Sequence, residues 1–122
     1  MERYLLVALG GALGAALRYG LGAWLQGYSS GFPLSTLAIN VSGSLLIGLV
    51  LRLSLEGALS PEARLFLAVG VLGGYTTFST FSYELLALVQ GGEGGRAFLY
   101  AFLSLALGFG AVALGYALGG RG

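Results

Sequence analysis

Polar side chains are scarce along this chain and fall in clusters, so that the sequence divides into four apolar runs, residues 3–26, 33–53, 62–89 and 96–118. Each reaches or exceeds the ~20 residues that an α-helix needs to cross the hydrocarbon core of a bilayer. The breaks are brief: GYSSGF around Ser29, SLEGALSP before Glu62, and QGGEGG ending at Gly95, each bringing glycine, proline or charge to turn the chain. Connections this short predict antiparallel neighbouring helices. The pattern implies an all-α membrane protein with four transmembrane helices. Residues 1–122 read as one four-span domain, with nothing left for a soluble one.

Composition agrees with the pattern. Of 122 residues, 57% are hydrophobic and 9% charged, far from a soluble domain of this length, so a lipid bilayer is the expected surrounding. The first run resembles a secretory signal in having Arg3 ahead of an apolar stretch, but its apolar character continues past Arg18 to Trp24, so it is read as a retained span. Cysteine and histidine are both absent, which excludes disulfides, thiol chemistry and the usual transition-metal sites. A net charge of +1 points to no partner, and no nucleic acid is expected. Positive residues near span ends favour the cytoplasm. Arg3, Arg52, Arg64 and Arg121 fall on one side of a four-span chain and Arg96 on the other, which places both termini inside.

Along the apolar runs, glycines lie four apart at Gly10 with Gly14, Gly70 with Gly74, and Gly115 with Gly119. Small residues at that spacing let helix backbones approach closely in lipid. Tyr4, Trp24 and Tyr28 sit near span ends, where amphipathic rings suit the interface.

Against this background some polar residues stand out. Arg18 lies about fifteen residues into the first run, where insertion costs about 2.5–3.5 kcal/mol before a partner is found. It either snorkels to the far interface or serves the protein interior. Asn40, in STLAINVSGSLLIG, needs partners for two donors and an acceptor, whether another helix or a solute supplies them. The nearby Ser35, Thr36, Ser42 and Ser44 can bond back to their own helix. In the third run, GGYTTFSTFSYE (residues 73–84) puts Gly73-Gly74 ahead of five serines and threonines, the pattern of an interrupted helix. Backbone groups freed by such a break are tolerated at depth only inside protein or along a cavity, and freed carbonyls can hold a cation. Phe78 and Phe81 share a helix face, with Ser79 and Ser82 on one neighbouring stripe and Thr76 and Thr80 on another. Tyr100 and Ser104, four apart, can continue a polar track or be ordinary interior residues. Arginine, amide and hydroxyls all donate hydrogen bonds, and aromatic edges carry the positive part of the ring quadrupole, so the set suits an anion. Glu84 opposes that reading unless it lies toward water. From the residues alone the function is passage of a small polar solute or anion.

Three segments together resemble the Fluc (CrcB) fluoride channel family: GGALGAALRY at residues 10–19, STLAINVSGSLLIG at residues 35–48 and GVLGGYTTFSTFSYE at residues 70–84. The resemblance implies an antiparallel, dual-topology homodimer in the cell membrane, with two narrow pathways that passively export fluoride and so confer resistance to it, and no enzymatic turnover. It implies that Phe78 and Phe81 contact the ion through their ring edges and that Asn40 is the amide beside them. Ser79, Thr80, Tyr100 and Ser104 would line the polar track. The carbonyls of Gly73 and Thr76, given by both subunits, would hold a central sodium ion. Arg18 and Glu84 would be structural or vestibule charges. This chain departs from the family in Ser35, where glycine is commoner, and in Gly108, which lacks a hydroxyl found in some relatives one turn after Ser104. The arginine bias is also larger than the near balance that dual topology predicts.

Two other classes are weaker fits. A proton-coupled small multidrug exporter needs a carboxylate deep in its first span, and this one offers only Glu2 at its edge. A non-transporting interaction protein would account for the glycines but not for the clustered donors.

Overall fold

The computed structural model describes residues 1–28 and 32–120. Ser29 and Arg121, used above, lie outside the described residues. The helices are α1 (Glu2–Leu25), α2 (Leu34–Leu55), α3 (residues 61–75), α4 (Phe78–Gln90) and α5 (Gly94–Gly119), with a short 3₁₀ turn at Gln26–Tyr28. α3 and α4 are the two halves of the third span, so four segments are long and apolar enough to cross a membrane. The four runs read from the sequence match these segments to within two residues at either end.

The helix ends follow from local chemistry. α2 stops where Gly57 takes φ +80°, which lets the Ala58 N–H turn back to the Leu53 carbonyl at 2.9 Å. α4 stops the same way, with Gly92 at φ +78° and the Glu93 N–H on the Leu88 carbonyl at 2.8 Å. α3 starts at Pro61, where the lost N–H costs nothing, and the Ser60 hydroxyl accepts from the Ala63 N–H at 3.1 Å. Beyond Arg64 the chain winds through wider π-type turns over Leu65–Leu72, so that the Gly73 N–H reaches back to the Ala68 carbonyl.

Burial runs opposite to that of a protein in water. Leu5, Leu9, Leu13 and Leu17 form an exposed stripe along α1, and Phe98, Phe102, Leu105 and Phe109 stand exposed on α5. The buried positions are instead dominated by small residues: Gly10, Gly14, Gly43, Gly48, Ala68, Gly70, Ala97, Gly115 and Gly119. Lipid accepts the large apolar faces, and close backbone packing supplies the association.

The glycine pairs are the points of that packing. A methyl group at Gly10 would lie 2.7 Å from the Phe66 carbonyl oxygen and 2.9 Å from the Gly70 Cα, and one at Gly74 would lie 2.6 Å from the Gly11 carbonyl oxygen. Gly14 lies directly against the Val71 carbonyl. Together they lock α1 to α3. In the same way Gly115 meets Leu45, Gly48 meets Val112, and Gly119 packs on the Arg52 side chain, which locks α2 to α5. Residue numbers rise together across both contacts, so the helices of each pair run parallel, as alternate members of an up-down-up-down chain must. Arg52 adds an ion pair to Glu56 at 3.0 Å and sits 4.6 Å from the Tyr116 ring centre, tying the ends of α2 and α5.

The third span is interrupted where the sequence reading expects a break, within the glycine-threonine stretch. Gly73 and Gly74 remain helical. The chain leaves the helix at Thr76 (φ −85°, ψ 157°) and Thr77 (φ −147°, ψ 124°). Gly74, pressed against Gly11, gains from staying helical, whereas Thr77 finds substitutes for its ladder partners on Asn40. As a further consequence Thr76 lies outside α4 and shares no helical stripe with Thr80.

Candidate functional site

Two extended residues in mid-span leave backbone groups without ladder partners, and each is costly at that depth unless another group meets it. The Asn40 amide answers for Thr77. Its Oδ1 accepts from the Thr77 N–H at 2.9 Å, and its Nδ2 donates to the Thr77 carbonyl at 3.0 Å. Arg18 answers for Gly74, its Nε donating to that carbonyl at 3.1 Å, so the arginine is spent on the end of α3 rather than snorkelling. A cation at a helix C-terminus is also favoured by the macrodipole. The Thr77 hydroxyl accepts from the Thr80 N–H at 3.2 Å and caps α4. Among the described residues the carbonyls of Gly73 and Thr76 accept no bond across the break. Gly73 is exposed and Thr76 half-buried.

α4 carries different chemistry on its two sides. On one side a groove of about 550 Å³ is lined by Asn40, Ser44, Thr76, Phe78, Phe81 and Ser104, among others. The Phe78 and Phe81 rings are 5.9 Å apart and tilted by 43°. Among the described residues, the Ser44 and Ser104 hydroxyls and the second N–H of Asn40 have no protein acceptor. No buried polar side-chain atom among the described residues lacks a partner, so the two serine hydroxyls are not enclosed, and both residues line the groove.

On the other side Glu84 is held rather than solvated. The Tyr100 hydroxyl donates to its Oε1 at 2.8 Å and the Thr36 hydroxyl to its Oε2 at 3.1 Å. Glu84 is thus a half-buried carboxylate with a donor on each oxygen. Tyr100 is completely enclosed, at 0% exposure, packed 5.0 Å from Phe81 and edge-on to Phe32 at 5.6 Å. A second cavity of about 640 Å³, lined by Arg18, Gln26, Thr36, Thr77, Thr80 and Glu84 among others, lies on this side.

The residues singled out in the sequence thus separate into groups. Asn40, Phe78, Phe81 and Ser104 meet on the groove. Arg18, Thr80 and Glu84 share the second cavity, Tyr100 is sealed between Phe81 and Glu84, and Ser79 is exposed with its hydroxyl 3.4 Å from that of Thr77. Thr36 and Ser44 carry more of the site than the sequence reading gave them. The available signal was spacing, since Thr36, Asn40 and Ser44 recur every four residues along one stripe of α2.

A family model described as CrcB-like protein, Camphor Resistance (CrcB), matches residues 5–116. The chain belongs to that family. It is 74% identical over 121 residues to proteins named fluoride-specific ion channel FluC from two strains of Thermus thermophilus, covering 98% of this chain and 95% and 97% of theirs. A protein of the same name from Acidobacterium capsulatum is 52% identical over 121 residues, covering 98% of this chain and 97% of that protein. Four apolar helices and membership of the CrcB-like family make this a multi-pass membrane protein.

Proposed function

We propose that the protein is a fluoride-selective channel through which fluoride leaves the cytoplasm passively, and not an enzyme. The observation that carries this reading is the groove, where open donors from Asn40 and Ser104 converge beside the Phe78 and Phe81 rings with no carboxylate among them. Fluoride is small and strongly hydrated, so a pathway must replace its water with closely set donors, as carbonyls replace water around a cation in other filters. Ring edges add positive potential without adding a fixed charge that would trap the ion. The names of the relatives support the same ion.

An antiparallel, dual-topology homodimer completes the reading. A groove on the face of one chain needs a second wall before it can conduct, and Phe78, 79% exposed in the single chain, is suited to meet a second copy. Two copies give two grooves and hence two pathways, with fluoride resistance as the cellular result.

A sodium ion at the dimer centre fits the residues at the break. Among the described residues the Gly73 and Thr76 carbonyls have no hydrogen-bond partner across it, and they lie at the C-terminal, partially negative end of α3. Two neutral carbonyls from each subunit, without a carboxylate, suit a monovalent ion better than the acid-rich sites that hold divalent ones. The ion would join the two subunits at the break, leaving anion contact to the groove.

Liposomes loaded with fluoride and bearing the purified protein test the reading. Fluoride is expected to leave rapidly without a proton gradient while chloride is retained, and equal rates for the two halides would remove the selectivity claim. Phe78→Ile and Phe81→Ile are each expected to slow efflux sharply while the dimer persists. Complete removal of sodium is expected to impair assembly or efflux, and indifference to it would count against the central cation.

A further inference from the structure

We propose that Ser44 is a donor of the anion route, standing in from α2 for the hydroxyl that α5 lacks at Gly108. This rests on the fluoride-channel reading and extends it to a residue that the sequence motifs leave unassigned.

Two serines on α2 use their hydroxyls differently. The Ser42 hydroxyl bonds back to the Ile39 carbonyl at 3.0 Å and pairs with the Tyr75 hydroxyl at 2.9 Å, so it is spent within the protein. Ser44, two residues on and therefore on the opposite side of α2, makes neither kind of bond, although back-bonding is the usual resort of a serine in an apolar helix. Its hydroxyl faces the groove that Asn40, Phe81 and Ser104 also line.

α5 lines that groove with Ser104, and one turn later its Gly108 comes beside Ser44. A Cβ built at Gly108 would have the Ser44 Oγ as its nearest neighbour, at 3.8 Å. The Ser44 hydroxyl thus borders the space that a side chain at Gly108 would fill. Four residues of helix rise about 6 Å, so Asn40 and Ser44 offer an ion two donors one turn apart on α2. The donors on α5 end at Ser104, and α2 carries the series one step further.

The same 3.8 Å clearance makes the idea testable, because a hydroxyl can be moved across the groove without a clash. Efflux from fluoride-loaded liposomes is compared for the wild type, Ser44→Ala, Ser44→Cys, Ser44→Ala with Gly108→Ser, and Ser44→Ala with Gly108→Ala. Ser44→Ala is expected to slow efflux about tenfold, the factor for losing one hydrogen bond to an ion. Ser44→Cys, which keeps the volume but replaces a strong donor with a weak one, is expected to be slowed likewise. Gly108→Ser should restore Ser44→Ala to within about threefold of wild type, while Gly108→Ala should not, so refilling the volume is separated from restoring the donor. Ser44→Ala or Ser44→Cys conducting at the wild-type rate, or Gly108→Ala rescuing as well as Gly108→Ser, would overturn the role of Ser44 and leave the channel reading standing. A wild type that passes no fluoride would overturn the channel reading, and this inference with it.

Discussion

Phe81 separates two polar regions built from the same kinds of residue and put to opposite use. Behind the ring, Tyr100 and Thr36 each donate to one oxygen of Glu84, so that donors and acceptors close on one another. In front of it, Asn40, Ser44 and Ser104 present donors with no protein acceptor among the described residues. In a low-dielectric interior a closed set holds helices together, here α2, α4 and α5, while an open set of donors is costly unless something else accepts from it. The first arrangement has the character of structure and the second that of a binding route. Asn40 takes part in both kinds of work, since one of its N–H groups and its oxygen secure Thr77 while the other N–H is left for the groove.

That contrast makes graded predictions. The largest effect is expected from Asn40→Ala, which strips both backbone groups of Thr77 of their partners at about 1–3 kcal/mol each and removes a groove donor. Fluoride efflux should fall at least about a hundredfold, and near-wild-type efflux from a folded variant would break the link between the clamp and the route. Next comes Phe81→Ala, which deletes the partition and opens the Tyr100–Glu84 pair behind it to the groove. Efflux should fall by about tenfold or more, from lost ring contact and like-charge repulsion, as measured by a fluoride electrode.

Smaller effects are expected behind the ring, and there on stability more than on transport. Tyr100→Phe leaves one oxygen of Glu84 without its donor and should lower the thermal midpoint by several degrees, at about 1–2 kcal/mol. Should efflux collapse with the midpoint unmoved, the Tyr100 hydroxyl would belong to the route and the two sides of Phe81 would not differ as described. The mildest change, Thr36→Val, removes one donor of similar shape, and a loss of about 1 kcal/mol with efflux within about twofold of wild type is expected from unfolding and liposome assays.

Some of this organisation is legible in the sequence and some is not, for identifiable reasons. The four spans can be read because length and apolarity decide them locally. The glycine pairs can be read as well, since spacing of four puts small residues on one face, and Gly10, Gly14, Gly70 and Gly74 do meet. The break is harder to place. Gly73-Gly74 and the polar run after it mark the region, but what sets the extended residues within it is that Asn40, thirty-seven residues away, offers Thr77 both a donor and an acceptor. The partners of Glu84 come from two other helices, with no local signal to announce them. Ser42 and Ser44 look alike in sequence, and only the neighbourhood of Tyr75 on one side and Gly108 on the other tells a spent hydroxyl from an open one.

Asn40 is the only asparagine in the chain, so labelling asparagine with ¹⁵N marks a single side-chain amide at the centre of the groove. Solid-state NMR of the protein in bilayers with fluoride, reading ¹⁹F–¹⁵N dipolar dephasing at that amide, measures directly whether the ion passes through these open donors. The account predicts dephasing that corresponds to a separation of about 3 Å, a hydrogen-bond distance, and its loss when fluoride is replaced by chloride. An Asn40 amide that stays untouched by ¹⁹F at fluoride concentrations that sustain efflux would contradict it.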